Sequence, residues 1–298
     1  MSIVNKADKS IYYGGDLPLE DLRFQQIHLE YLRVSYWRLE VWHHRHLGSP
    51  YWRFYWNERE GGELILGDQR YQLHPNLMTI VMPQTLFGTA IHGQTHDESA
   101  NILVGVPSKG HEDSGLPHLF VHFLVHEPQL KANNGIIQCS IGNADMEILK
   151  QITLECSRAE KVLSSVSSFQ LQALILKCLS HGSKGIWTEQ QHEGRIQKVL
   201  NWIEPRLQRK IKNSDLAKLI DLSTNGFARH FKNCTGLSPQ DYLMQKRLQR
   251  AGILLHHSRD SIDAIAERCG FCDRNYFSSH FKKMYGLGPS AYRKSGMK

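Results

Sequence analysis

One pattern occurs twice in this chain. Seven identities recur 50 residues apart between Ser214 and Tyr292: Phe227/Phe277, Phe231/Phe281, Lys232/Lys282, Gly236/Gly286, Leu237/Leu287, Pro239/Pro289 and Tyr242/Tyr292, with Asn225/Asn275 as an eighth. A period of that length marks a supersecondary unit used more than once. Two copies are too few to stack into a solenoid. The expected product is a pair of helix-turn-helix units. In the first, NSDLAKLIDL carries Ser214 as a candidate N-cap, and TNGFARHFKNC starts after Ser223 and ends at Thr235-Gly236. SPQDYLMQKRLQRAGILLHH is a long helix opened by Ser238 with Pro239 at its first position. SIDAIAERCGF and DRNYFSSHFKKMYG then repeat the unit, and PSAYRK follows.

The repeat also carries the positive charge. The 298 residues hold 36 Lys and Arg against 29 Asp and Glu, a net +7. From Glu193 onward there are 20 against 9, which leaves 16 against 20 before it. Basic charge confined to one domain is the footprint expected of polyanion binding, because Lys and Arg displace counterions from phosphates. The hydrophobic share of 41% and charged share of 22% are ordinary for a globular chain of two domains. No apolar run approaches the roughly 20 residues that span a bilayer, and MSIVNKADKS lacks a signal peptide's apolar core. The expectation is a cytoplasmic protein with no membrane partner. Of the six cysteines, Cys269-Gly-Phe-Cys272 alone has metal or redox spacing, and no second Cys/His pair stands beside it. Cys269 is expected to be a small buried residue and Cys272 to sit at a helix start, with neither metal nor cofactor.

Ahead of residue 182 the texture differs. After a Gly-Gly turn at Gly14 and Gly15, YLRVSYWRLEVWHHRH, YWRFYWN, ELILG, YQLHPN, MTIVMP, NILVGV and HLFVHFLV read as strands punctuated by Gly and Pro. They predict a β-sandwich or small barrel, with an interior able to hold one small ligand. From Ala144 to His181 the period becomes helical, with Ile148, Ile152, Leu171, Leu174, Ile175 and Leu179 at three- and four-residue spacings. Two such helices either cover a barrel face or meet a second subunit. The domain organisation expected is therefore residues 1–181, a polar Gly-bearing linker at 182–192, and 193–298.

In a helix-turn-helix unit the second helix enters the major groove with its N-terminal residues on base edges. Leu216, Leu219 and Leu222 with Phe227 and Phe231 are expected to form one small core, and Ile262, Ile265 and Ala266 with Phe277 and Phe281 the other. Asn225 and Arg229 share a face away from the phenylalanines. Arg suits guanine O6/N7 and Asn suits adenine N6/N7, each bidentately. Arg274, Asn275, Ser278 and Ser279 occupy the equivalent surface of the second unit. Lys232, Lys282 and Lys283 suit phosphates, which fix register without reading sequence.

DLAKLIDLSTNGFARHFKNCTGLSPQDYLMQKRL and AIAERCGFCDRNYFSSHFKKMYGLGPSAYRK closely resemble the AraC/XylS family of bacterial transcription regulators over about the last 100 residues. The resemblance implies two helix-turn-helix units, held by the long helix, in successive major-groove segments. Where this chain has Ser279 the family commonly has Arg, which implies weaker base reading by the second unit. Gly226 departs from good helix formers and costs about 1 kcal/mol relative to Ala. Less specifically, HRHLGSPYWRFYWN, the turn at His74-Pro75-Asn76, MPQTLF and HLFVHF are similar to the cupin-like effector domain of arabinose-type members. By that resemblance Arg45, Thr89, His118 and Phe120 match positions lining a sugar pocket, with Trp52 and Trp56 as an aromatic wall or plain core. The implied partners are double-stranded DNA, a small effector (a sugar or a nucleotide), RNA polymerase and a second copy of the chain.

Two rival classes stay open. One is a regulator without a ligand, whose front domain only dimerises or binds a protein. The other is a metal-dependent cupin enzyme, suggested by His43, His44 and His46. Against it, Pro50 and Tyr51 stand where a Glu ligand belongs, and Phe87 stands where a later His belongs. No catalytic residue is expected.

Overall fold

The computed structural model describes residues 28–93, 102–107, 115–126, 130–158, 163–181, 187–189 and 193–297. The turn expected at Gly14 and Gly15 and most of the expected linker lie outside them. The front half is an antiparallel half-barrel built on β1, His28–Leu47. That strand is rich in aromatic and β-branched residues, which favour a pleated surface. It pairs successively with β8 (Leu116–His126), β7 (Ile102–Pro107) and β6 (Phe87–Ile91). Irregular register at Tyr31/Arg33, Leu39/Val41 and His44/Leu47 bends it through the barrel wall. β2 (Trp52–Asn57), β3 (Gly62–Leu66), β4 (Gln69–Leu73), β5 (Leu77–Val81) and β10 (Ile136–Ser140) complete the order β10, β5, β2, β8, β1, β6, β3, β4.

Alternation along the central strands separates two cores. Trp52, Phe54 and Trp56 of β2 and Leu119, Val121 and Phe123 of β8 face outward, against α1 (Asn143–Ser157) and α2 (Ser165–His181). Their alternates face the interior, where Tyr55 joins Leu39, Trp42, Leu64 and Phe87. Every residue of β2 is buried, because the helices cover one face and the barrel the other. Leu149, Ile152, Leu171, Leu174, Ile175 and Leu179 all pack onto the sheet, so the helices cover a barrel face. Leu154, Val166 and Phe169 stay exposed on their outer side. Within the expected linker, β11 (Trp187–Glu189) pairs antiparallel with β9 (Leu130–Ala132), so backbone hydrogen bonds hold part of that stretch to the front half.

The back half is helical: α3 (Gly194–Ile203), a 3-10 turn at Glu204–Arg206, α4 (Asn213–Lys218), α5 (Thr224–Thr235), α6 (Pro239–His257), α7 (Ile262–Arg268), α8 (Arg274–Tyr285) and α9 (Pro289–Met297). It has one small core per repeat, and α6 threads both. Leu243 joins the core of Leu216, Phe227 and Phe231, while Leu248, Ala251 and Leu255 join that of Ile265, Phe277 and Phe281. The repeated glycines end the second helices in the left-handed region, at φ 78° for Gly236 and 75° for Gly286. Ser214 is not a cap. α4 opens at Asn213, and the Asp215 carboxylate accepts from the Lys212 N–H at 3.3 Å instead.

The spacing of 50 fails inside the turn itself. The Leu222 N–H donates to the Ala217 carbonyl at 3.1 Å, and the Phe271 N–H donates to the Ala266 carbonyl at 2.9 Å, one residue short of the period. Asp221 (φ 55°) and Gly270 (φ 83°) hold the left-handed position in each turn. Cys272 is the added residue that restores the spacing. Cys269 is buried at the end of α7, Cys272 is exposed, and both are free thiols.

Candidate nucleic-acid interface and barrel pocket

α5 and α8 present matched polar faces at their N-terminal ends. The Ser223 hydroxyl accepts the Gly226 N–H at 3.2 Å, and a Cβ on Gly226 would stand 3.0 Å from that oxygen. The glycine therefore keeps the cap close. Asn225, Arg229 and Lys232 are exposed while Phe227 and Phe231 are fully buried. On α8 the Asp273 carboxylate accepts the N–H groups of Asn275 (3.1 Å) and Tyr276 (2.9 Å). Arg274, Asn275, Ser279, Lys282 and Lys283 are exposed and Ser278 is half-buried. Arg274 is the committed member, pairing with Asp263 at 3.0 Å. Among the described residues no carboxylate pairs with Arg229, Lys232, Lys282 or Lys283.

Two neighbours went unread in the sequence. Tyr276 is 49% exposed on the α8 face, with its ring 4.1 Å from that of His280. His280 is itself a repeat partner of His230, which approaches Glu193 at 2.9 Å. Glu193, His230 and Cys234 bring one ligand atom each within 4.8 Å, with Glu193 exposed.

The barrel interior holds a polar, aromatic pocket. β8 contributes His118, Phe120 and His122, β2 contributes Arg53 and Tyr55, and β1 contributes Arg33, Trp37, Trp42 and His44. The cavity is about 50 Å³, room for about four water-sized groups. The His118 Nδ1–H donates to Asn57 Oδ1 at 2.7 Å, and His44 Nδ1 lies 2.9 Å from Thr89 Oγ1. Burial lowers the pKa of His118 to about 3; burial, with Arg53 and His43 adding to it, lowers that of His44 to about 4. Both are neutral near pH 7.

The expected effector residues divide. His118 and Phe120 line the cavity, and Thr89 is buried behind His44. Arg45 does not line it, since its side chain is exposed and His44 takes the inward position. Trp52 also lies outside it, stacked on Phe123 at 6.0 Å in the outer core, with Trp56 in the same layer. The reason is parity: with Arg53 and Tyr55 inward, the even-numbered Trp52, Phe54 and Trp56 of β2 point out. Arg53 could have been found from sequence as the polar alternate between two tryptophans.

A helix-turn-helix domain family model matches residues 216–295. Through this domain the chain belongs to the AraC/XylS family of transcription regulators. The chain is 28% identical over 195 residues to the transcriptional activator RhaS of Enterobacter sp. strain 638, spanning 65% of this chain and 68% of that one. It is 33% identical over 120 residues to the probable transcriptional regulator LumQ of Photobacterium leiognathi, spanning 40% and 48%. The chain thus spans about two thirds of the first relative and about half of the second. Its overall fold is similar to that of ToxT from Vibrio cholerae, solved with an unsaturated fatty acid bound, at a TM-score of 0.50 and 11% identity over 91% of this chain and 97% of that one. Among the described residues no helix is long and apolar enough to cross a membrane.

In this AraC/XylS-type chain the second repeat docks on the barrel beside the pocket. The Tyr51 hydroxyl donates to His256 Nδ1 at 2.7 Å, and the His256 Nε2–H donates to the Tyr292 carbonyl at 2.8 Å. The Tyr292 hydroxyl donates to the Gly48 carbonyl at 3.3 Å, and its ring stacks on His256 at 4.1 Å. A Cβ on Gly252 of α6 would stand 3.1 Å from Pro50 Cγ. On the barrel side, Arg53 donates to the hydroxyls of Tyr51, Tyr55 and Ser49 at 3.0 to 3.1 Å. A side chain of the pocket thus holds the tyrosine that meets the DNA-binding half.

Proposed function

We propose that the chain is a sequence-specific DNA-binding regulator in which an effector held by the half-barrel, in residues 1–181, alters how residues 193–298 engage DNA. The observation that carries this reading is the duplication of one polar face over two buried phenylalanine pairs in the basic half. Asn225, Arg229, Arg274, Asn275, Ser278 and Ser279 read bases, and Lys232, Lys282 and Lys283 hold phosphates. Arg229 against Ser279 makes the first unit the stronger reader, the more so because Arg274 is shared with Asp263. RNA polymerase is the further partner of a promoter-bound regulator. The exposed Leu154, Val166 and Phe169 of the hairpin suit a second copy of the chain, covering apolar surface that water otherwise meets.

Selection of bound duplexes from a random library with the full chain tests DNA reading. A consensus with two contact segments about one helical turn apart is expected, and no enrichment over the input library sinks the reading. Effector control is tested by titrating a ligand that stabilises the chain into a footprint on the selected DNA. A ligand that binds without changing affinity or footprint removes the effector half of the proposal and leaves DNA binding intact.

A further inference from the structure

The first repeat carries a ligand set that the second lacks. His230 and Cys234 stand four apart on α5, so their side chains share one face of that helix. Glu193, at the N-cap position of α3, meets this face instead of capping its own helix. Its Oε2 lies 2.9 Å from His230 Nε2. One carboxylate oxygen, one imidazole nitrogen and the Cys234 sulfur all lie within 4.8 Å of one another. Fifty residues on, the matching positions hold His280 and Met284, and among the described residues no such group forms there. A Glu–His ion pair alone accounts for two of the three groups and leaves the thiol beside them without a role.

We propose that Glu193, His230 and Cys234 bind a zinc-class divalent cation, which ties the start of α3 to the first base-reading helix. The site stands apart from effector control and does not rest on it. Zinc bonds of about 2.0 to 2.3 Å set tetrahedral ligand atoms about 3.3 to 3.6 Å apart. The His230–Glu193 contact opens by about 0.5 Å to reach that spacing, and no pair closes by more than about 1.2 Å, a small adjustment for an exposed glutamate. Thiolate and imidazole select zinc over magnesium or calcium. A thiolate, a carboxylate and a neutral imidazole balance the two positive charges, and the thiol proton leaves to solvent on binding. Arg195 Nε, 3.2 Å from Glu193 Oε1, holds the other carboxylate oxygen and so orients the ligand. Three protein ligands leave a fourth position for water, as in exchangeable rather than closed sites. Ile196, Val199 and Ile203 already pack α3 into the core of Phe227 and Phe231, so the ion fixes the one end of α3 that lies outside that core.

The test uses the full, untagged and reduced chain, with Co²⁺ as the spectroscopic probe and Zn²⁺ in competition. Co²⁺ is expected to give a thiolate-to-cobalt charge-transfer band with the intense visible bands of four-coordination, and Zn²⁺ to bleach both. Cys234→Met installs the residue that the second repeat carries, and is expected to keep the fold and remove the charge-transfer band. Glu193→Gln alters an exposed side chain and is expected to weaken Co²⁺ binding by at least about tenfold. Cys272→Ser removes the exposed thiol of the other repeat and is expected to change neither. Zn²⁺ is expected to raise the melting temperature of the parent and of Cys272→Ser but not of Cys234→Met, and Mg²⁺ to raise none. The proposal is overturned if no charge-transfer band appears, if the band survives Cys234→Met or is lost in Cys272→Ser, or if Glu193→Gln binds Co²⁺ as tightly as the parent.

Discussion

The hydroxyl of Tyr51, on the barrel rim, donates to Nδ1 of His256, 205 residues later on α6, at 2.7 Å. Both residues are buried, and each has a second partner: Arg53 for the tyrosine, the Tyr292 carbonyl for the histidine. Tyr51→Phe keeps the ring and strands both the histidine nitrogen and one arginine N–H. A loss of about 1 to 3 kcal/mol is expected, the cost of leaving a buried polar group unpaired. Urea unfolding measures it, with Tyr71→Phe, whose hydroxyl bonds to Gln69 in an exposed pair, as the control that should barely move.

Acid should undo the same contact. Burial, then Arg53, pulls the pKa of His256 to about 3 and that of His257 to about 4, and His122, facing both, is also held low by burial and Arg53. The ordinary value is 6.5, so in acid the unfolded chain binds more protons than the folded one, and stability falls as pH drops. The window runs from about 6.5 down to about 3, with a slope of up to about 1.4 kcal/mol per pH unit for each histidine. Above pH 7.5 these groups contribute no slope. Urea midpoints at pH 7.5, 6.5 and 5.5 follow it, and a flat profile would contradict the neutral-histidine assignment.

Gly270 and Gly236 both lie in the left-handed region, yet alanine should not cost the same at each. A Cβ on Gly236 meets nothing within 4 Å, so the expected loss is the backbone term of about 1 kcal/mol. On Gly270 it would stand 2.7 Å from the Leu207 carbonyl oxygen, and a loss at least about twice as large is expected. Thermal denaturation of the two variants gives the comparison.

On DNA, Arg229→Ala is expected to cost about 1 to 3 kcal/mol on a selected site and little on random duplex. Lys282→Ala is expected to weaken both alike and to lower the salt slope by about one. Equal losses for Arg229→Ala on specific and random duplex would refute its role as a base reader.

The back half was legible because its signals are local and repeated. Phenylalanine pairs, capping serines and closing glycines fix two helix-turn-helix units without reference to anything distant. The front strands were legible as strands, but which side of β2 faces inward was not. With Trp52, Phe54 and Trp56 on one side and Arg53 and Tyr55 on the other, and both sides buried, hydrophobicity points to the wrong row. The seam was invisible for another reason. Nothing near Tyr51 or His256 in sequence announces a partner 205 residues away, and the polarity of 182–192 reads as a free tether although β11 is paired.

β1 runs 20 residues through the barrel wall and sets the inward row by its bulges. A length change in it would exchange wall for lining along the rest of the strand, whereas a change of side chain at Arg33, Trp37 or Trp42 alters the lining alone. Ligand preference in this scaffold is therefore open to point substitution and closed to insertion. Relatives that answer to different molecules should differ along this strand in residue type while keeping its length.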